Sequence, residues 1–386
     1  MRNAVIVDAV RTPIARAAAD KGFFRDVRSE DLSAHVIQAL LRRNEFDPAL
    51  IEDVRWGCVQ QQGEQGFDVG RIAALVAGLP VTTAGVTINR NCGSSLQAIN
   101  DAATSVMAGV DDIQIAGGVE HMDHVPMSKD YNPCPSLFRR HSEAIMHMGL
   151  TAEFVAMKYR ICRADQDAFA YRSHKLAAEA TDAGVFRLEI IPTWGRNEAG
   201  LKTLIEVDQC IRRDTSIEAL AALPPAFNPA GGSVTAGNSS PINVGATATL
   251  VMAEETAKAL GLKPLVRIRG MAAVGVDPEE MGMGPVPAVQ KALKRAGLTV
   301  ADLGTIELNE AFAAQALACM KMLKLDPEKV NRRGGAIAIG HPLGASGARI
   351  ATTCIHRMKA EGSKFGLATM CIGQGQGIAT IFEAID

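Results

Sequence analysis

Short apolar runs alternate with segments of helical periodicity at both ends of the chain. In the first part, apolar runs typical of buried strands occupy residues 4–9, 54–57, 85–88 and 113–116. Segments of helical periodicity lie between them, at residues 31–43, 69–77 and 94–108. This alternation predicts an α/β protein rather than an all-β fold or one with segregated helices and strands.

A weak internal repeat relates the two ends. Residues 38–56 align with residues 290–308 without a gap, and the identical pairs are Gln38/Gln290, Leu41/Leu293, Arg43/Arg295 and Ala49/Ala301. The apolar positions Ile51, Val54 and Trp56 also fall on Leu303, Ile306 and Leu308. The pattern predicts a duplicated α/β unit, a helix followed by a strand, in two similar halves.

The regular alternation stops in the middle of the chain. Residues 119–235 hold five of the eight histidines, at positions 121, 124, 141, 147 and 174, and a helical stretch near 163–183. This segment is interpreted as an insertion, which either supplies ligand contacts or is a surface excursion without a binding role. The predicted division is therefore an N-terminal core of 1–118 and 236–258, an inserted loop domain of 119–235, and a C-terminal core of 259–386.

The length and charge limit the classes of function. A chain of 386 residues is long enough for two or three domains. Forty Lys and Arg against 42 Asp and Glu leave a net charge of −2 without a long basic run, so nucleic acid and anionic membranes are poor candidates for main partners. Eight dispersed cysteines without a C-x-x-C pair, and a strand rather than a signal peptide near the N-terminus, predict a cytoplasmic protein.

Cys92 is the first candidate for chemistry. It lies in a turn of polar and small residues, 89–95, between an apolar strand and a helix that begins near Ser94. The N-terminus of a helix stabilises a thiolate by about 0.3–1 kcal/mol, as an exposed nucleophile requires. The alternative is a small buried hydrophobic residue.

His341 and Asn309 are the next candidates. His341 follows an apolar segment that is expected to be a strand, 334–340, and stands before a turn rich in glycine and serine, which suits a base held in one orientation. A histidine satisfied within the core is the alternative. Asn309 lies where a strand is expected to end and a helix to begin, so it is either a helix cap or, if it lies close to His341, a catalytic residue.

The loop 371–377 combines Cys371 with three glycines. Because the residues that follow are β-rich, a glycine hairpin is predicted rather than a nucleotide-binding loop. Its open N–H groups could form part of an oxyanion hole beside Cys371. Two cysteines, a histidine and an asparagine at such positions favour cysteine chemistry on an acyl group. They do not favour a metal site, because no paired ligands share a helix face.

These motifs, collinear over essentially the whole chain, resemble those of the thiolases, and most of all the 3-ketoacyl-CoA thiolases of fatty-acid β-oxidation. The segments that carry the resemblance are 11–13, 64–66, 89–95, 117–122, 147–153, 309–315, 340–342 and 371–377. The resemblance implies a five-layered α-β-α-β-α architecture with two similar halves and an inserted loop domain. It also implies cleavage of a 3-ketoacyl-CoA by CoA through an acyl-cysteine intermediate, with no metal and no cofactor, since CoA is a substrate.

The resemblance also implies roles for individual residues. Cys92 would be the nucleophile, His341 would accept its proton, and Cys371 would protonate the leaving carbanion and later deprotonate the incoming CoA thiol. Asn309 would hold a water that forms one oxyanion hole with His341. The backbone N–H groups of Cys92 and Gly373 would form the second hole. The residues expected to line the CoA channel are His147, Met148 and Ser240.

Two positions depart from the family's pattern. Val244 stands where an Asp is usual, at the end of the loop 235–246. Because a valine has no carboxylate, we expect this loop, and the contact of Ser240 with CoA, to be held less tightly. Ala15 stands where a Gly is common, and we expect that change to be tolerated.

The resemblance leaves other functions open. A biosynthetic acetoacetyl-CoA thiolase and a 3-oxoadipyl-CoA thiolase share these motifs, and the chain length of the acyl group depends on the pocket. A catalytically silent CoA- or lipid-binding protein is disfavoured because both cysteines and the histidine are present. Thiolases are homodimers or tetramers, and the β-oxidation type often docks onto a hydratase/dehydrogenase subunit, so both assemblies are expectations for this chain.

Overall fold

The computed structural model describes residues 2–130 and 132–385. Its strands are β1 (Ala4–Arg11), β2 (Ala15–Arg16), β3 (Asp53–Gly57), β4 (Ala84–Ile88), β5 (Ile113–His121), β6 (Thr193–Arg196), β7 (Lys202–Ile205), β8 (Asn243–Ala253), β9 (Val266–Gly275), β10 (Thr305–Leu308), β11 (Phe365–Ile372) and β12 (Gln376–Ala384).

The helices fall between these strands. They are α1 (Ser29–Arg43), α2 (Val69–Val76), α3 (Ser94–Ala108), α4 (Met148–Tyr159), α5 (Arg163–Asp182), α6 (Ile217–Ala221), α7 (Glu254–Ala259), α8 (Pro285–Ala296), α9 (Ala313–Leu323), α10 (Ala336–Ile339) and α11 (Leu343–Glu361). In the part of the chain that the structure describes, no helix combines the length and the apolar character needed to cross a membrane.

The main sheet consists of two halves that share one topology, apart from β4 at the outer edge of the first half and the short β2, which pairs with β8. In the first half the strand order is β4-β3-β5-β8-β1, and in the second it is β10-β11-β12-β9. The pairs β3–β5 and β10–β11 are parallel, whereas β5–β8, β8–β1, β11–β12 and β12–β9 are antiparallel. The predicted repeat is confirmed, because β3 and β10 take equivalent places and each follows a helix, α1 or α8.

Two residue pairs join the halves of the sheet, Val5 with Arg267 and Ile6 with Val266. Most of the connection comes instead from α3 and α11, whose apolar faces pack together with residues of both sheet halves in a central core. On the outer faces, α1 and α2 cover the first half of the sheet, and α8 and α9 cover the second. The layers are therefore helix, sheet, helix, sheet, helix, as the α-β-α-β-α prediction requires.

The chain leaves this repeat between β5 and β8. The intervening segment contains α4, α5, α6 and the separate two-stranded sheet of β6 and β7. Helix α4 packs against α9, and α5 packs against α10 and α9, so these helices lie over the second half of the repeat. The part that contains β6 and β7 packs on the first half, where Ile205 joins the outer core and the N–H of Arg196 donates to the carbonyl of Phe23. The limits of the predicted division, 1–118 with 236–258, 119–235 and 259–386, stay a prediction.

One element differs from its predicted type. The apolar segment before His341 is not a strand: residues 336–339 form the single turn of α10, in which the N–H of Gly340 donates to the carbonyl of Ala336. All four residues of this turn are buried. A short apolar run that is buried all round has no polar face, so periodicity cannot distinguish a helix turn from a strand.

We predict that replacing Ile355 with alanine lowers the free energy of unfolding by about 2–5 kcal/mol, the usual cost of such a cavity. Ile355 is fully buried in the central core, between the two halves of the sheet. The control is Val110→Ala, at a side chain 70% exposed, for which a change within about 0.5 kcal/mol is expected. Urea denaturation at one protein concentration measures both values, and equal values for the two variants would contradict the layered packing.

Candidate active site

Cys92 lies in the turn that connects β4 to α3. The turn is closed by Ser94, whose hydroxyl accepts the N–H of Arg90 at 3.0 Å, and by the left-handed backbone of Asn91, with φ of 43°. Asn91 also donates from Nδ2 to the carbonyl of Gly373 at 3.2 Å. Cys92 is half-buried, and the backbone N–H groups of Gly373 and of Cys92 itself lie near its sulfur.

The thiol of Cys92 is harder to ionise than its place before a helix predicts. Burial raises the pKa of the Cys92 thiol, and the two N–H groups lower it. Burial has the larger effect, so the pKa is about 11. The expected stabilisation of the thiolate by the helix N-terminus is therefore outweighed by removal of the sulfur from water. A nucleophile of this kind needs a base to take its proton during attack.

Cys371 lies beside Cys92, near the end of β11. The predicted glycine hairpin is confirmed. Strand β11 pairs with β12 across residues 373–375, and Cys371 is opposite Gly377. The side chain of Cys371 is 1% exposed and packs in a small apolar cluster with Met148, Ala311 and Phe312 among others. Burial raises the pKa of this thiol well above its usual value, and the neighbouring Cys92 raises it further. Cys371 is therefore a protonated thiol at neutral pH.

His341 is held between α10 and α11 by contacts on three sides. Its backbone N–H donates to Oδ1 of Asn243 at 2.8 Å, Nδ1 lies 2.6 Å from the hydroxyl of Ser346, and Nε2 lies 3.4 Å from Nδ2 of Asn309. Burial first, and the cation of Arg349 second, lower its pKa to about 3. The imidazole is therefore neutral at neutral pH, as a base must be.

Asn309 is not a helix cap. It follows the last residue of β10, and the next helix, α9, begins only at Ala313 with Phe312 at its N-cap position. Its side chain is fully buried and lies between His341 and Arg349, whose Nη2 donates to Oδ1 at 3.3 Å. The proximity to His341 favours the catalytic alternative of the sequence analysis.

The crossing of α3 and α11 brings these groups to one end of the molecule. The N–H of Ala348 donates to the hydroxyl of Ser95 at 2.9 Å, and a Cβ on Gly347 would lie 2.4 Å from the backbone of Leu96. The contact is thus within the first turns of both helices, and Cys92 and His341 each precede one of them.

The described contacts form two groups. Cys92, Cys371 and Gly373 make the first, and His341 and Asn309 make the second. Ala311 and Phe312, just after Asn309, belong to the same apolar cluster as Cys371 and so connect the groups. Among the described residues, His341 and Cys92 share no direct hydrogen bond.

Comparisons with known proteins identify the family. The family models for the thiolase N-terminal domain and the thiolase C-terminal domain match residues 4–255 and 262–384. The chain belongs to the thiolase family. It is 54% identical to proteins named 3-ketoacyl-CoA thiolase from Serratia proteamaculans and Photobacterium profundum, with all of this chain and all of each relative covered.

A solved thiolase-like structure shows the same fold. The crystal structure of the Bacillus anthracis acetyl-CoA acetyltransferase superposes with a TM-score of 0.90 at 38% identity, covering 100% of this chain and 99% of that one. The identification of the thiolase fold and family from sequence motifs is therefore confirmed.

The residues expected to contact CoA differ in how close they lie to this site. His147 is exposed immediately before α4, and Met148 begins that helix, with its sulfur 3.5 Å from the position of a Cβ on Gly373. Ser240 is half-buried, and its N–H donates to the carbonyl of Ala311 at 3.0 Å. Met148 thus packs against the apolar cluster of Cys371, and Ser240 bonds to a member of that cluster, Ala311. The CoA roles of all three residues stay a prediction.

The expected effect of Val244 is not supported by its position. Val244 belongs to β8 rather than to the loop, is 1% exposed, and packs in the outer core of the first half. Its strand partner is Ala15, so the two departures from the family's pattern face each other. The preceding loop is held by other groups, including Ser239, whose hydroxyl donates to the carbonyl of Thr235 at 2.7 Å.

Three residues near His341 received no role from the sequence. Asn243, Ser346 and Arg349 all bond to His341 or to Asn309, although they lie on β8 and α11. For Arg349 a signal was present in the sequence: it is a charged residue in a helical start composed otherwise of small and apolar residues, 343–351.

A cavity of about 820 Å³ does not coincide with this site. Its lining residues come from the ranges 254–266, 358–363 and 384–385, at the ends of α7 and α11. None of the predicted site residues lines it. Cavity size therefore does not locate the chemistry in this chain.

Glu64, His121 and His124 form a second cluster of possible ligands, outside the predicted site. His124 points Nε2 at the carbonyl of Arg25, at 2.8 Å, and Nδ1 at the Glu64 carboxylate, at 3.1 Å. Because both partners only accept, His124 must carry two protons. His121 accepts the N–H of His124 at Nδ1 and faces the carbonyl of Phe24 with Nε2. The four ring nitrogens are therefore used by protein groups, and the cluster is an ion pair rather than a metal site.

This ion pair predicts a pH-dependent stability. Burial lowers the pKa of His124, but its bonds to Arg25 and Glu64 outweigh that effect and raise it overall. Burial raises the pKa of Glu64, but hydrogen bonds from Ser29 and His124 outweigh that and lower it overall. The ion pair therefore stabilises the fold when the pH is above the pKa of Glu64 in the unfolded chain. This stabilisation is lost as the pH rises through the pKa of His124 in the folded protein.

We predict that Glu64→Gln lowers the melting temperature most between about pH 5 and 6.5, where both charges are present. The deficit should shrink as the pH rises further, without vanishing, because Ser29 also donates to Glu64. Melting curves from pH 5 to 9 measure it, and Glu198→Gln, at an exposed carboxylate, is the control. A deficit that does not change with pH would show that no charge on His124 is involved.

Proposed function

We propose that this thiolase cleaves a 3-ketoacyl-CoA with CoA, giving acetyl-CoA and an acyl-CoA shortened by two carbons, in fatty-acid degradation. The observation that carries the proposal is the packing of the Cys92 turn against the hairpin that follows Cys371. Asn91 Nδ2 donates to the carbonyl of Gly373 at 3.2 Å, and a Cβ on Gly93 would lie 2.5 Å from the side chain of Ile372. The 54% identity to proteins named 3-ketoacyl-CoA thiolase supports the substrate class.

In the first half-reaction, the Cys92 sulfur attacks the C3 carbonyl while His341 accepts the thiol proton at Nε2. The tetrahedral alkoxide collapses to an acyl-Cys92 thioester, and the electron pair of the C2–C3 bond leaves with acetyl-CoA as a carbanion. Cys371 gives that carbanion its proton and becomes a thiolate. Burial suits Cys371 to this step, since a raised pKa keeps the acid protonated until a strong base forms beside it.

In the second half-reaction, the Cys371 thiolate takes the proton of the CoA thiol. The CoA sulfur attacks the acyl-Cys92 thioester, and the leaving Cys92 sulfur recovers its proton from His341. Protons therefore balance over the cycle, with both cysteines as thiols and His341 neutral at the end. One cysteine could not be the nucleophile and the acid in the same step.

Two oxyanion holes serve the two carbonyl groups. The backbone N–H groups of Cys92 and Gly373 lie near the reacting sulfur. In the proposed mechanism they donate to the oxygen of the C3 carbonyl as it becomes the alkoxide, since that carbon bonds to this sulfur. Asn309 and His341 form the other, through a water held by Asn309. Each such donor is worth roughly 2.7–4 kcal/mol of transition-state stabilisation in mutational precedent. No metal or bound cofactor has a role in this mechanism.

We predict that native protein mixed with a 3-ketoacyl-CoA, without CoA, gains the mass of one acyl group, and that Cys92→Ala gains none. The alanine removes the only group that forms the thioester in the proposed mechanism. Intact-protein mass spectrometry measures the adduct, and Cys134→Ala, which removes an exposed thiol, is the matched control. An adduct of equal yield on the Cys92→Ala protein would overturn the assignment of the nucleophile.

The rival functions within the family differ in substrate length. An acetoacetyl-CoA thiolase prefers the C4 substrate, and a 3-oxoadipyl-CoA thiolase requires a terminal carboxylate. We predict that kcat/KM for C10 and C16 3-ketoacyl-CoAs exceeds that for C4 and for 3-oxoadipyl-CoA. A higher kcat/KM for the C4 substrate would instead indicate an acetoacetyl-CoA thiolase, and a higher kcat/KM for 3-oxoadipyl-CoA would indicate a 3-oxoadipyl-CoA thiolase.

The assembly and location follow from the same proposal. We propose a homodimer or tetramer that associates with a hydratase/dehydrogenase subunit in the cytoplasm. The eight cysteines, all unpaired in the described structure, are consistent with a reducing compartment. Co-purification from cell extract, with the partner identified by its dehydrogenase activity, tests the association.

A further inference from the structure

Arg349 is a buried cation beside the proposed catalytic residues. It lies on α11 with its side chain fully buried, and Nη2 donates to Oδ1 of Asn309 at 3.3 Å. Its Nε and Nη1 have no hydrogen-bond partner among residues 2–130 and 132–385. The charged groups that affect its pKa most are Glu307, Arg11, Glu189 and Glu310.

Arg349 differs from the other buried arginines nearby. Arg11 bonds directly to the carboxylates of Asp208 and Glu189, and Arg357 bonds directly to Glu307. The direct bond of Arg349 goes instead to a neutral amide. A buried cation without a direct carboxylate partner costs stability, so a structural role alone does not account for it.

The chemistry of arginine fixes which way Asn309 points. A guanidinium can only donate, so the atom of Asn309 that faces Arg349 must be the amide oxygen. The amide nitrogen, Nδ2, then faces Nε2 of His341, at 3.4 Å. Because Nδ2 also only donates, Nε2 must be the ring nitrogen without a proton.

The other side of the ring gives the same answer. The hydroxyl of Ser346 donates to the carbonyl of Pro342 at 2.8 Å, so it has no further proton to give. It must therefore accept from Nδ1 of His341, at 2.6 Å. The proton of the neutral ring is on Nδ1, and the lone pair is on Nε2.

We propose that Arg349 is a positioning residue that fixes the amide of Asn309 and through it, together with Ser346 on the other side of the ring, favours the tautomer of His341 in which Nε2 can accept a proton. The effect on turnover rests on the proposed thiolase function, whereas the hydrogen-bond arrangement does not. A glutamine at this position could both donate and accept, so the direction of the Asn309 amide would no longer be determined.

The charge of Arg349 gives a second readout. The groups that face His341 are Asn309 after β10, Asn243 on β8, and Ser346 and Arg349 on α11, and Arg349 is the charged one among them. Burial and this cation together hold the pKa of His341 at about 3. Removing the cation raises that pKa, so the acid limb of kcat/KM moves to higher pH.

Two substitutions separate position from charge. Arg349→Gln should lower kcat about tenfold to a hundredfold, the range for losing one hydrogen bond to a charged group, with KM changed less than about twofold and the acid limb moved upward. Arg349→Lys keeps the cation, so its acid limb should stay near that of the native protein, with a smaller loss of kcat. Arg357→Lys is the matched control at a buried arginine that does not touch Asn309 or His341, and it should change neither kcat nor the acid limb.

A double-substitution cycle tests whether Arg349 acts through Asn309. In an Asn309→Ala background, Arg349→Gln should add almost nothing to the loss of kcat. Additive losses, or an equal loss in Arg357→Lys, would show a general structural effect and overturn the proposal. Circular dichroism confirms that each variant is folded, and Arg349→Lys carries the test if Arg349→Gln does not fold.

The tautomer is also measurable without turnover. In protein labelled with ¹⁵N-histidine, His341→Gln identifies the His341 signals, which should show a protonated Nδ1 in native protein and a mixture of tautomers in Arg349→Gln. Native tautomer signals in Arg349→Gln would overturn the proposal even if thiolysis is observed. If the mixture is seen but no 3-ketoacyl-CoA is cleaved, the hydrogen-bond arrangement stands and the proposed function fails.

Discussion

The close crossing of α3 and α11 is the constraint on which the site depends. These helices form the shared middle layer, and they approach within their first turns because Gly347 has no side chain to keep the backbone of Leu96 away. Cys92 and His341 each lie just before one of these helices, so the packing of the core determines where the sulfur and the imidazole are. A larger residue at Gly347 would separate the helices and change the site without touching either group.

Much of the fold and of the candidate site could be predicted from the sequence, because the informative residues are local signals. The polar turn around Cys92 and the glycine hairpin after Cys371 have recognisable neighbours in the chain, and both were placed correctly. The segment before His341 is predicted wrongly as a strand, because a buried apolar turn has no periodicity that would identify it as helical. The turn residues before Val244 predict that it lies in a loop. It lies instead in β8, where it pairs with Ala15 of β2, and this tertiary contact does not show in the local sequence.

The ionisation of the site could not be predicted from local sequence either. The position of Cys92 before a helix favours its thiolate, but burial has the larger effect and reverses the sign. Likewise, the charge of Arg349 stands out in its helix, but the local sequence does not show that it bonds to Asn309 and acts on His341. Burial and cross-chain contacts, which local patterns do not contain, set the protonation state of each group.

The duplicated architecture has a consequence for how the two halves can vary. Equivalent places in the repeat, just ahead of α3 and of α11, are occupied by a thiol in one copy and by an imidazole in the other. Identical copies would bring together two nucleophiles without a base, or two bases without a nucleophile. Divergence at these matched positions is what turns a symmetric scaffold into a site with distinct chemical roles, and it makes the copies non-interchangeable despite their common topology.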